Sequence, residues 1–464
     1  MITKIKINGF KSFQDFEMTF TPLTIVAGAN ASGKSNLFDA LQLLSRLADM
    51  DLKTAFTGQR GNPSELFTTF DDNSISSEME FIVEMLLNRK IKDNWGGSTE
   101  LNSTRLRYRL IIVRIINDYG VDDIAIKHES LEKIKPAEDR WIKEVLPKPA
   151  KSLSKTLKGG GSPTPFIYTD EQKGITQIRI RQDGIQGGKA TPASSVTQTV
   201  IGSINSIDFP HAFAVKEEMR SWKFLQLNPE DLRKPTPQEM GMHDYITLSG
   251  KNLASTLYRI SKTDDSSLIE ISRKINSFLP NYVEVMVEDD KTNRQFVIKI
   301  KDEDNTVFSS RVLSEGTLRL LALCILEYDD KHTGLLCFEE PENGIHPFRI
   351  HSIFNLLKDL STDFSDAEHS LRQVIANTHS PVLVREVLRW HEDINVSLLF
   401  SRQITFLTNN VGNRVKIKIT RMSPVVKKFQ DPQQLSMFST SKAEFNLTIS
   451  EVMKYLQTED LDNI

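Results

Sequence analysis

Eight consecutive residues, Gly28-Ala29-Asn30-Ala31-Ser32-Gly33-Lys34-Ser35, have the types and spacing of a loop that cradles phosphates. Gly28 and Gly33 let the main chain curl close to an anion. The successive N–H groups of Asn30, Ala31, Ser32 and Gly33, with the start of the helix that follows, can bind it. Lys34 places a cation at the β- and γ-phosphates, and Ser35 offers a hydroxyl to Mg2+. Asn36, one residue further on, closes the candidate nucleotide set.

Two other groups of residues suit the same chemistry. The run Leu335-Leu336-Cys337-Phe338-Glu339-Glu340-Pro341 is an apolar strand ending in two carboxylates. A buried strand delivers its last residues to the sheet edge, where ligands sit in α/β folds. There Glu339 would hold Mg2+ directly or through water. Glu340 would orient or deprotonate an attacking water. Alone, such a pair is ordinarily a solvated strand end; a phosphate loop upstream gives it a task. In Asn377-Thr378-His379-Ser380-Pro381, His379 follows another apolar run. A lone loop histidine is ordinarily structural or exposed. Beside the phosphate loop it can contact the γ-phosphate or the water, and its near-neutral pKa suits that role.

These residues need strands and helices to hold them. Ile2–Ile7 alternates as a strand does, and Leu23–Ala27 is a strand leading straight into the glycine loop. Leu37, Leu41, Leu44 and Ala48 recur at helical spacing, so a helix begins near Lys34. Strand, loop and helix in that order are the setting a phosphate loop requires. Residues 77–190 are β-rich, interrupted by a Lys/Ser/Gly/Pro stretch from Lys148 to Pro163 that reads as a solvated loop. Helical periodicity mixed with loops marks 195–290. From 291 the pattern returns to α/β, with strands at Gln295–Ile300, Gly334–Phe338, Gln373–Ala376 and Val396–Phe400 and a helix over Val312–Tyr328 capped by Ser314. The expected organisation is therefore an N-terminal lobe over 1–194, an inserted α-rich lid over 195–290 and a C-terminal lobe over 291–464. The last forty or so residues show little pattern beyond a helix near Lys442–Leu456.

Composition sets limits on the partners. The chain has 464 residues, 39% of them apolar and 25 of them Phe, which is ample for a sizeable core. Its net charge of −3 provides no overall pull toward nucleic acid or an anionic membrane. Cys324 and Cys337 sit inside apolar runs with no histidine cluster nearby, which excludes a zinc site and fits a reducing cytoplasm. The N-terminus lacks the apolar centre of a signal peptide, and no stretch has the length of a membrane span.

Taken together, the motifs resemble an ABC-type ATPase head of the class shared by SMC and RecF proteins. The likeness is greatest to compact bacterial AAA family ATPases related to the overcoming-lysogenization-defect (OLD) proteins. The resemblance rests on Gly9-Phe10-Lys11-Ser12-Phe13, the phosphate loop, Leu313-Ser314-Glu315-Gly316-Thr317, Glu339 to Pro347 and Thr378 to Pro381, in that order. It implies an α/β P-loop NTPase with a β-rich lobe and an α-rich lid, using ATP and Mg2+. Lys34 and Ser35 become Walker A ligands, Glu339 the Walker B metal position, Glu340 the catalytic base and His379 the switch histidine. Ser314 and Gly316 belong to a signature motif that meets the ATP of a second subunit, and Glu342–His346 to the D-loop. Gln59, a further metal candidate, and Arg60 stand in the loop that follows Walker A.

Two departures from the family pattern stand out. Walker B carries Glu339 where Asp is usual, and the signature carries the acidic Glu315 close to where a phosphate would lie. The resemblance further implies a cytoplasmic homo-oligomer built from ATP-sandwich dimers. OLD-type proteins carry a nuclease domain after the ATPase. Here some 80 residues follow His379 without an acidic constellation, the pair Asp460 and Asp462 lying in the tail. The expected partner is thus a separate nuclease or toxin in bacterial anti-phage defence. The alternatives are a RecF-like clamp on DNA, which needs a basic surface, and a slowly hydrolysing scaffold.

Overall fold

The computed structural model describes the chain except for residues 118, 146–155, 161–163, 173, 183–188, 194–195, 240–244, 265, 365–370, 391, 411–412, 426–441 and 462–464. Most of the Lys148–Pro163 stretch, the expected boundary at 194 and 195, and Asp462 lie outside the described residues.

The centre is a six-stranded sheet. Its order is Lys223–Leu225, Gly334–Glu339, Arg372–Thr378, Leu23–Ala27, Val396–Asn410 and Asn413–Pro424. The first five run parallel, and the last returns antiparallel as a hairpin. Parallel strands are covered on both faces, so their sequences are apolar throughout. Alternation along each strand then divides the side chains between two cores. Val26, Cys337, Ile375 and Leu399 pack with Leu37, Leu41 and Leu44 of the Lys34–Leu47 helix. Ile25, Phe338, Ala376 and Leu398 pack on the other face with Leu318 and Leu321 of the Glu315–Glu327 helix and with Phe354.

An antiparallel eight-stranded sheet forms the β-rich lobe, ordered Lys189–Pro192, Ile175–Ile180, Ile167–Gln172, Asp122–Lys133, Arg105–Ile116, Glu78–Leu86, Ile2–Asn8 and Phe16–Thr19. The buried Gln373 ties it to the central sheet. Its side-chain amide donates to Ile2 O at 2.7 Å and accepts from Ile2 N at 2.8 Å. A smaller sheet of Thr236–Pro237, Gln295–Asp302, Tyr282–Asp290 and Val307–Ser309 packs with the Leu253–Thr263 and Ser267–Phe278 helices.

Residues 195–290 therefore contribute more than helices. Lys223–Leu225 pairs parallel with the Glu339 strand and forms one edge of the central sheet. Three residues are too few to show a period, so the sequence pattern hides this strand. The strand expected over Val396–Phe400 runs on to Asn410 and turns back through Asn413–Pro424. No helix among the described residues is long and apolar enough to cross a membrane.

Candidate functional site

Three loops leave the same edge of the central sheet. Ala27, the last strand residue before the glycine loop, pairs in register with Thr378, and Asn377 pairs with Glu339. Parallel pairing thus brings the loops after residues 27, 339 and 378 side by side.

The glycine loop is held in a tight curl. Gly28, Ala31 and Gly33 have φ of 149°, 60° and 91°. A Cβ at Gly33 would overlap Oγ1 of Thr420, and one at Gly28 would overlap the carbonyl of Ser401. Both neighbours come from the C-terminal hairpin. Ser401 Oγ donates to Ser32 O at 2.9 Å, and Thr420 Oγ1 donates to the same carbonyl at 3.2 Å. Ser12 joins the clamp: its hydroxyl meets Thr420 Oγ1 at 2.7 Å and accepts from Asn36 Nδ2 at 2.7 Å.

Lys34 is buried and its ammonium folds back over the loop. It donates to the carbonyls of Gly28 and Ala29 at 2.7 and 2.8 Å and lies 3.3 Å from His379 Nδ1. Burial lowers its pKa to about 8, against a smaller opposing pull from Glu340. A charged Lys34 has no lone pair, so it donates to Nδ1. That puts the ring proton of neutral His379 on Nε2, which lies 3.4 Å from Glu340 Oε1. Burial and then the Lys34 charge hold the His379 pKa below its ordinary value.

Glu340 sits in the left-handed region at φ 48°, where a non-glycine residue is strained. Asn377 holds it there, accepting from Glu340 N with both its carbonyl, at 3.1 Å, and its Oδ1, at 3.2 Å. Glu339 pairs with Arg60 Nη2 at 3.4 Å, and Arg60 and Lys11 both reach the buried Asp39, at 3.1 and 2.7 Å. Gln59 is buried, and neither its Oε1 nor its Nε2 has a partner among the described residues. It lines the same cleft as Glu339.

A sequence model of the family described as "AAA ATPase domain" matches residues 1–175. A second, described as "AAA domain, putative AbiEii toxin, Type IV TA system", matches residues 186–385. The glycine loop lies in the first match, and Glu339, Glu340 and His379 lie in the second.

The chain is similar to AAA ATPase domains over both matched segments.

Comparison with solved structures returned SMC heads. An SmcHead bound to the C-winged helix domain of ScpA is 14% identical, with 91% of this chain and 98% of that one covered and a TM-score of 0.48. The SMC head domain from Thermotoga maritima is 12% identical over 91% and 98% of the two chains, at 0.37. An Smc head with an extended coiled coil, bound to the C-terminal domain of ScpA derived from Pyrococcus furiosus, is 14% identical over 91% and 96%, at 0.42. Comparison with curated proteins returned no match.

Lys34, Glu340 and His379 form one line of contacts, with Ser35 and Asn36 half-buried in the first helical turn. Ser314 and Gly316 make their contacts elsewhere. Ser314 caps its own helix, accepting from Thr317 N at 3.2 Å, and a Cβ on Gly316 would lie 3.0 Å from Gly344 O. Glu315 is neutralised: Arg319, one helical turn on, donates to Oε1 at 2.9 and 3.1 Å. Arg319, Glu339, Glu340 and Asn343 then line one cleft of about 580 Å3. The motifs alone overlook Thr420, Ser401, Asp39 and Arg319, because none of them carries a phosphate-binding signature of its own.

Proposed function

We propose that this head binds ATP with Mg2+, hydrolyses the β–γ bond, closes between two copies of itself and so controls a separate effector protein. The observation that carries the reading is the line from Lys34 through His379 to Glu340. It sets a cation for the γ-phosphate, a proton-bearing ring and a carboxylate base within a few ångströms of one another. Glu340 takes a proton from water as the water oxygen bonds to the γ-phosphorus. The bond from phosphorus to the β–γ bridging oxygen breaks, leaving ADP and phosphate. Lys34 exchanges its two carbonyl partners for phosphate oxygens, and His379 Nε2–H holds the γ-phosphate or the water.

The residues fit a metal carried by the nucleotide. Among the described residues no group of three or more His, Cys, Asp or Glu could hold one unaided. The Ser35 hydroxyl, the Glu339 carboxylate and the unpartnered Gln59 Oε1 are oxygen donors of the kind Mg2+ takes. The ion would neutralise charge on the transferred phosphate.

Closure between two copies is supported by the signature segment. Within the chain Ser314 meets Thr317, Gly316 lies against Gly344, Glu315 pairs with Arg319 and Leu313 O accepts from Arg233 at 3.4 Å, and in our reading the helix start meets another copy's γ-phosphate. The Arg319 guanidinium beside Glu315 offsets the repulsion that an acidic signature residue would exert on phosphate. Two exposed apolar side chains, Val312 at 69% and Phe348 at 92%, flank this segment and the D-loop, and a second copy would cover them. The match to a family described with a putative AbiEii toxin supports a role in bacterial defence with an effector. The test is the mass of Glu340→Gln by light scattering. With ATP and Mg2+ it should double or rise by further multiples, and Ser314→Arg in that background should return it to the monomer while nucleotide still binds. A mass unmoved by ATP contradicts closure.

A further inference from the structure

The switch histidine is gripped from two sides. Its ring faces Lys34 and Glu340, while its main-chain carbonyl accepts a hydrogen bond from the hydroxyl of Tyr455 on the Lys442–Leu461 helix. The residues next to His379 are fixed independently. Thr378 is fully buried and donates to Glu342. Ser380 caps the Pro381–Leu388 helix, accepting from Leu383 N at 3.3 Å, and its own N–H donates to Thr378 Oγ1 at 2.9 Å. The His379–Ser380 peptide is thus held at both polar groups, its N–H by Thr378 Oγ1 and its carbonyl by the Tyr455 hydroxyl, and the second of these holds comes from the C-terminal helix.

Tyr455 is itself well anchored. Thr448 and Val452, on the same helical face, are buried. The Tyr455 ring meets Phe400 edge-on at 5.6 Å, and Phe400 pairs in register with Ala27, next to the phosphate loop. Burial of the phenol, and then the charge of half-buried Glu342, whose Oε2 has no partner among the described residues, oppose ionisation of Tyr455, so the hydroxyl remains a donor.

We propose that Tyr455 is a positioning residue for His379, and that through it the C-terminal helix senses and tunes the nucleotide site. The inference rests on the ATPase reading above. Rotation about the His379 N–Cα bond swings both the ring and the carbonyl, so ring movement toward a γ-phosphate pulls on Tyr455. Conversely, a displaced helix releases the ring from the position Glu340 needs.

The test is Tyr455→Phe in the full chain, which removes one oxygen and keeps the ring. The proposal expects kcat for ATP to fall about tenfold, with KM within about twofold and the melting temperature within about 3 °C of the parent. A purely structural tyrosine would lower stability and leave kcat alone. A second measurement is independent of turnover: 3-fluorotyrosine at 455, followed by 19F NMR. Its resonance should move when ATPγS binds and stay in place in Lys34→Ala. Unchanged kcat in Tyr455→Phe overturns the positioning role. A stationary resonance with calorimetrically proven nucleotide binding overturns the coupling. If the parent binds ATP without hydrolysing it, the ATPase reading fails alone and the resonance decides the inference. Absence of nucleotide binding overturns both.

Discussion

Lys34 and His379 meet at 3.3 Å, although 345 residues separate them in the chain. Their strands are neighbours in the central sheet, with Ala27 opposite Thr378, so the loops that follow must emerge together. The contact places the cation proposed to bind phosphate against the histidine proposed to read it. In the chain alone the Lys34 ammonium is satisfied by two carbonyls and the ring, and a nucleotide has to replace those partners.

Lys34→Ala should weaken ATP binding at least about a hundredfold, because two or three charge-assisted bonds to phosphate are lost. Calorimetry with ATP and Mg2+ measures it. Affinity within a few-fold of the parent would remove Lys34 from the site.

The depressed pKa of Lys34 makes binding pH-dependent. Its value of about 8 belongs to the chain without nucleotide, and phosphate favours the charged form, so binding raises it. Above pH 8 the ammonium must regain a proton to bind. Affinity should then fall by up to about tenfold per pH unit, and below pH 8 it should be insensitive to Lys34. Lys34→Arg, charged throughout, should show no such slope. Equal slopes in the two proteins between pH 8 and 9.5 would contradict the assignment.

Glu129 governs a separate dependence, on stability. It is fully buried, accepts from Val200 N, Ile201 N and the Tyr108 hydroxyl at 2.7, 3.0 and 3.1 Å, and burial raises its pKa to about 7. The folded chain therefore holds a proton between about pH 4.5 and 7 that the unfolded chain releases. Stability from this group is present below pH 4.5 and is lost as pH rises through 7, on the order of 3 kcal/mol. The unfolding midpoint of Glu129→Gln should lose correspondingly less between pH 5 and 8 than the parent's. Parallel pH profiles would show that Glu129 ionises as an ordinary carboxylate.

The parts of the fold that were legible are those written in contiguous residues. The glycine loop, the apolar run ending at Glu339 and Glu340, and the Ser314-capped helix each carry their signal locally. The features that escaped depend on distant pairing. Thr420 looks like any strand threonine until the Asn413–Pro424 hairpin sets it over Gly33. Asp39 reads as a polar residue on a helix surface, yet it is buried beneath Lys11 and Arg60 from two other segments. Glu315 taken singly is an acid beside a phosphate site, and its i+4 partner Arg319 pairs with it once both lie on one helix face.

The most direct test of the account is the release of phosphate from ATP by Glu340→Gln. The parent chain with Mg2+ should turn over, and the variant should bind ATP with near-parental affinity while hydrolysing it about 10²- to 10⁴-fold more slowly. Turnover by Glu340→Gln at the parental rate would mean that Glu340 is not the base and that the line from Lys34 through His379 does not end at the reacting water.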